Sequence, residues 1–152
     1  MTLGNVRNLN VVDGIYLAGQ PQASDIPLLK AEGIKTVIDL RLPTEIRGFD
    51  EPKLVEEAGM SYVSIPFDSA SLNDEVFDKI RALLNDKANH PVMVHCGGAN
   101  RVGAVWMPFR VLDQDLGQED ALAEAKAVGL RDSAMEKAAL DYIERVDRER
   151  KD

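Results

Sequence analysis

The chain has 152 residues, 45% of them hydrophobic and 29% charged, with a formal net charge of −8. That length predicts one domain over residues 1–152, and its composition excludes collagen-like, low-complexity and membrane-spanning classes. The acidic balance also argues against nucleic acid and anionic lipid as partners, because both need a basic face.

Gly14 to Gly19 reads as a short strand that ends in a turn at Gln20-Pro21. Ser24 is a candidate N-cap for a short helix ending at Gly33, with Pro27 in its tolerant first turn. Thr36 to Leu40 reads as a buried strand, and Asp50 can cap a helix through Ala58 that closes at Gly59. Tyr62 to Ile65 is a further strand, stopped by Pro66. Asn73 can cap a helix with Val76, Ile80, Leu83 and Leu84 on one face. Pro91 to His95 is a strand of the fully buried kind, and the next helix starts near Arg101. Pro108 should kink or break that helix. Gln118 to Val128 reads as helix, and Ser133-x-x-Glu136 as the capping box of a last one. Alternating strands and helices predict an α/β fold with a mostly parallel central sheet, flanked by helices on both faces.

The single cysteine, Cys96, excludes an internal disulfide and, with only two histidines, a cysteine-rich zinc site. No metal or other cofactor is expected. Cys96 sits in the segment VMVHCGGANRVG, a buried strand followed by a glycine-rich turn and a helix start. Such a junction aims free backbone N–H groups at one spot, with the positive end of the helix dipole behind them. Gly97 and Gly98 allow backbone angles at which successive N–H groups curl into an anion nest, continued by Ala99 and Asn100. The dipole and Arg101 both favour a thiolate at Cys96. Arg101 can hold a tetrahedral oxyanion with two parallel N–H bonds. A nucleophile beside an oxyanion cradle suits attack on phosphorus or sulfur.

HCGGANRVG resembles the signature His-Cys-x5-Arg-[Ser/Thr]-Gly of cysteine-dependent protein tyrosine and dual-specificity phosphatases. With GIYLAGQP, GIKTVIDLR and AGMSYVSIPFD upstream, the chain is similar over roughly residues 12 to 130 to the bacterial phosphatase-like family that also occurs fused to β-lactamase-like hydrolases. The resemblance implies a dual-specificity-phosphatase-like fold and hydrolysis of a phosphate ester, or another small oxyanion, through a phosphocysteine. It implies a general acid at Asp68, with Asp74 as second choice, and Arg41 at the end of VIDLR as a supporting charge in the same crevice. Two features depart from the signature. The loop is Cys-x4-Arg, and Val102 stands where the superfamily has a hydroxyl that helps the thiolate leave.

Cys-x4-Arg is also the loop length of rhodanese-type sulfurtransferases, in which Cys96 would carry a persulfide. A third reading is a phosphate-binding module without catalysis. His95 reads as a structural residue that orients the loop, and Trp106 and Met107 as core. The opening MTLGNVRNLN shows no signal peptide, so the expected location is the cytoplasm unless a leader has been removed.

Overall fold

The computed structural model describes residues 2–151. Five strands form one sheet: β1 (Asn10–Val12), β2 (Ile15–Ala18), β3 (Thr36–Asp39), β4 (Ser61–Ser64) and β5 (Val92–His95). Their order is β1-β2-β5-β3-β4. Only β1 and β2 are antiparallel, and all other neighbours are parallel. The helices are α1 (Ile26–Ala31), α2 (Glu51–Glu57), α3 (Asp74–Asn85), α4 (Asn100–Asp113), α5 (Gln118–Val128) and α6 (Ser133–Lys151).

Side-chain alternation sorts the two faces of the sheet. Tyr16, Ala18, Val37 and Met93 pack with Ile26 and Leu29 of α1 and Val55 of α2. Ile15, Leu17, Ile38, Val92 and Val94 pack on the other face with residues of α3 to α6. There α4 is the central helix, and every residue from Val102 to Phe109 is buried. Tyr142 ties three helices together. Its hydroxyl donates to Asp78 and accepts from Arg81, whose guanidinium also bonds Asp113.

The structure revises four local expectations. Strand β1 was not expected, although Asp13-Gly14 is a hairpin dipeptide; φ is 50° at Asp13 and 80° at Gly14, as a tight two-residue turn requires. Ser24 caps nothing. Instead a 3₁₀ turn over Ala23–Asp25 leads into α1, and the Asp25 carboxylate accepts from the N–H groups of Asn5 and Gln22. The cap of α6 is Asp132 rather than Ser133, with Oδ1 accepting from Ala134 and Met135. Pro108 does not end α4, because burial on all sides holds the helix despite the missing N–H. The caps at Asp50 and Asn73 fall as expected.

Gly103 brings α4 against the turn between α5 and α6. A Cβ there would lie 2.6 Å from the Ala125 carbonyl and 2.9 Å from Leu130 Cβ. Gly103→Ala should therefore destabilise the protein by about 1–3 kcal/mol through overpacking. Urea unfolding at equilibrium checks this; an unchanged midpoint would contradict it.

Candidate active site

β5 is the central strand and is buried along its whole length. It delivers Cys96 to the C-terminal edge of the sheet, where crevices in parallel sheets form. The turn Gly97-Gly98-Ala99 follows, and α4 begins at Asn100. Three of the turn's carbonyls are pinned from outside. The backbone N–H of Gln20 donates to the Gly97 carbonyl at 3.0 Å, and Asn8 Nδ2 to the Gly98 carbonyl at 3.2 Å. His95 Nδ1 lies 3.4 Å from the Cys96 carbonyl. In a trans peptide the N–H points opposite to the C=O. Turning these carbonyls outward therefore turns the N–H groups of Gly97, Gly98 and Ala99 inward, around Cys96.

The left-handed residue of the turn is not a glycine, as expected from the sequence, but Ala99, with φ of 72°. The glycine that the turn does require is Gly19. A Cβ there would come within 2.9 Å of the Gly97 carbonyl and block the Gln20 bond.

Arg101 lies in the first turn of α4. Its Nη1 and Nη2 donate to the two carboxylate oxygens of Glu45 at 2.6 and 2.7 Å, and Nη1 also reaches the Phe67 carbonyl. The Arg101 fork holds the Glu45 carboxyl below its usual range. In return the Glu45 bonds, with the nearby Cys96, strengthen the positive charge on Arg101. Nη2 also lies beside Gly97, 3.6 Å from where its Cβ would be. Glu45 thus fixes one edge of the guanidinium and turns another toward the cysteine turn. Four residues after Arg41, Glu45 reads from the sequence as a partner for that arginine, but the structure pairs it with Arg101.

Cys96, Gly98, Asn100 and Arg101 line a cavity of about 260 Å³. Asp68, Ser69, Asp132 and Met135 line it too. The structure brings Asp68, Cys96 and Arg101 together. Asp68 is exposed, and its Oδ1 accepts from the Ser71 hydroxyl and from the N–H groups of Ala70 and Ser71. The Ser71 hydroxyl and then the backbone bonds hold its carboxyl below the usual range. Asp74, the second choice, lies elsewhere, paired with Arg145 on α6. The Asn100 side chain turns away from the nest, and its Oδ1 accepts from the N–H groups of Arg131 and Asp132.

Arg41 does not face the crevice. It is fully buried, with Nε and Nη2 on Asp39, Nη2 also on Glu51, and Nη1 on Gln20. Its role is to hold the floor under the site. Asp39 also accepts from Arg47 and from the Tyr62 hydroxyl. His95 Nε2 lies 2.5 Å from Glu51 Oε2. The Cys96 carbonyl can only accept, so Nδ1 is the donor to it, and Nε2 faces Glu51. Asp39, Glu51 and His95 come close enough to hold a cation. The Arg41 guanidinium takes that place, and no buried polar side-chain atom among the described residues lacks a partner. Burial works to raise the Asp39 carboxyl, but the bonds from Arg41, the nearby His95 and Tyr62 outweigh it and hold the group far below its usual range.

A folded-state value below the unfolded one means that Asp39 stabilises the protein above about pH 4. That contribution is lost as pH falls further. Asp39→Asn should cost about 3–5 kcal/mol at neutral pH, because the buried Arg41 guanidinium keeps only Glu51 as an anionic partner. It should also flatten the fall of stability between about pH 5 and pH 3. Denaturant midpoints across that range measure both, and a slope equal to wild type would count against this account.

Residues 7–141 match the family model described as DSP-PTPase phosphatase fused to NAD+ kinase. The chain is 28% identical over 121 residues to the β-lactamase hydrolase-like protein of Agrobacterium fabrum, covering 76% of this chain and 27% of that protein. It is 27% identical over 135 residues to the dual specificity protein phosphatase TpbA of Pseudomonas aeruginosa, covering 88% of this chain and 59% of TpbA. It therefore spans about a quarter of the first relative and three-fifths of the second. Among solved structures, a DUF442 protein from Shewanella putrefaciens superposes with a TM-score of 0.78 at 25% identity over 95% of each chain. TpbA superposes with a TM-score of 0.71 at 26% identity, over 91% of this chain and 84% of that one. The sheet order, the cysteine turn and the family match agree, and the chain belongs to the dual-specificity and protein-tyrosine-phosphatase-like family described by that model.

Proposed function

We propose that the chain hydrolyses phosphate monoesters through a phosphocysteine. The observation that carries this is the outward pinning of three carbonyls around Cys96, which leaves a ring of N–H donors at the thiol. Cys96 Sγ attacks phosphorus as the bond to the ester oxygen breaks. The N–H groups of Gly97 to Asn100 and the free edge of Arg101 bind the equatorial oxygens. Asp68 gives its proton to the departing oxygen. Water then attacks phosphorus, Asp68 takes up a water proton, and thiolate and inorganic phosphate separate. In the free protein Asp68 is held ionised; an incoming phosphate dianion favours its protonated form by like-charge repulsion. TpbA has been crystallised with phosphotyrosine, and an aryl phosphate is the first substrate to test. Asp68 on the wall of the Cys96 cavity supports this reading over sulfur transfer, which needs no acid.

Hydrolysis of an aryl phosphate from about pH 5 to about 8 should be measurable in wild type and absent in Cys96→Ser. Equal turnover by the serine variant would sink the proposal. Arg101→Lys keeps the charge but loses the planar fork, and kcat should fall about 100-fold or more. Asp68→Asn should reduce kcat about 100-fold for esters of poor leaving groups and far less for p-nitrophenyl phosphate. An equal loss for both would remove Asp68 from the acid role.

Val102 is fully buried and offers no hydroxyl to the departing thiolate. Breakdown of the phosphocysteine should then limit turnover. Rapid mixing with p-nitrophenyl phosphate should show a burst of nitrophenol close to the enzyme concentration, and Val102→Ser should shrink it. A linear time course in wild type would show that the first step is the slow one.

A further inference from the structure

The cavity wall carries charge that the reaction does not use. We propose that it selects phosphate monoesters whose leaving group is neutral or cationic, and rejects those with a second anionic charge beside the reacting phosphate. This rests on the phosphatase reading above.

Two carboxylates, Asp68 and Asp132, line the same cavity as Cys96, with Met135 as apolar surface beside them. Arg101 is the only cationic side chain among the described residues that line it, and both of its Nη atoms are held by Glu45. The neighbouring Arg131 is exposed and does not line the cavity.

Asp132 is fixed where it stands. Its N–H, with that of Arg131, donates to Asn100 Oδ1, so the turn before α6 is tied to the residue next to Arg101. Gly129 lies flush on the cysteine turn, where its Cβ would be 3.0 Å from the Ala99 carbonyl carbon and oxygen. Asp132 Oδ1 is committed to capping α6, and Oδ2 makes no hydrogen bond among the described residues. The carboxylate cannot swing away without uncapping a helix of 19 residues. Asp68 is likewise held by three donors from Ala70 and Ser71. A leaving group that emerges past Met135 therefore meets the fixed negative charge of Asp132, while Asp68 carries the proton it donates and adds none. The chain's net charge of −8 adds to the same field.

The range of this effect suits a substrate. At physiological ionic strength charges act over about 8 Å, roughly the length of an aryl leaving group. In water a single charge pair at about 7 Å changes a rate or affinity about threefold.

The test compares two esters that differ only in remote charge, 4-(carboxymethyl)phenyl phosphate and 4-(2-aminoethyl)phenyl phosphate. Saturated carbon insulates the phenol from either charge. The readout is their ratio of kcat/KM, in which intrinsic reactivity cancels between enzymes. Wild type should favour the amine about tenfold. Asp132→Asn keeps an oxygen to cap α6 and should bring the ratio most of the way to one, because one carboxylate both attracts the amine and repels the acid. Raising the salt should lower the wild-type ratio in the same direction, and this arm stands even if the variant fails to fold. A wild-type ratio near one would overturn the proposal, as would a ratio unmoved by both the variant and salt. Turnover of neither ester would overturn the phosphatase reading itself.

Discussion

A backbone carbonyl turns outward and stays there only when a donor meets it. Around Cys96 this condition is satisfied three times, by Gln20, Asn8 and His95. These come from widely separated parts of the chain, and none touches the space that the N–H groups enclose. The ring of donors is thus a product of what lies behind it. Gly19 has no side chain because Gln20 must reach the Gly97 carbonyl. Glu51 is buried on α2 because His95 must be held at the Cys96 carbonyl.

The two faces of the sheet divide the work. On the face of α1 and α2, the charged groups of Asp39, Arg41 and Glu51, with the His95 ring, form a buried polar layer beneath the turn. Such a layer is a poor source of net stability, since desolvation offsets most of the attraction. It supplies direction instead, because each charge accepts only partners placed along its own lone pairs or N–H bonds. The opposite face is apolar and supports α4, whose start carries Arg101 and sets the position of the guanidinium.

How far the sequence foretells this depends on the range of the interaction involved. The parallel strands, the caps at Asp50 and Asn73, and the cysteine turn with Arg101 are local patterns, and they fall where expected. Asp68 sits on the wall of the cavity as expected, but as an ionised group held by Ser71. Arg41 was misplaced for a physical reason. A strand-ending arginine looks the same in sequence whether it points into a crevice or under it, and only Asp39, Gln20 and Glu51 converging from elsewhere decide. Glu51 and Asn8 carried no local signal, because acidic and amide residues at helix starts and in loops are ordinarily solvated, and Glu45 pointed locally to Arg41 but pairs with Arg101. Their roles come from tertiary contacts spanning 44 to 90 positions. Asp13-Gly14 did carry a hairpin signal, which the alternation of the neighbouring strand obscured.

The order β1-β2-β5-β3-β4 has a consequence for how the molecule assembles. Without β5, the sheet is two unconnected pieces, the β1–β2 hairpin and the parallel pair β3–β4, because β2 and β3 never touch. The strand that joins them begins only at Val92. Closing the sheet therefore requires inserting a late segment between two earlier ones, a non-local event of the kind that slows folding. That same strand ends in Cys96. The thiol reaches its ring of donors in the step that unites the sheet, so the Cys96 turn is complete only in a chain that has completed its core.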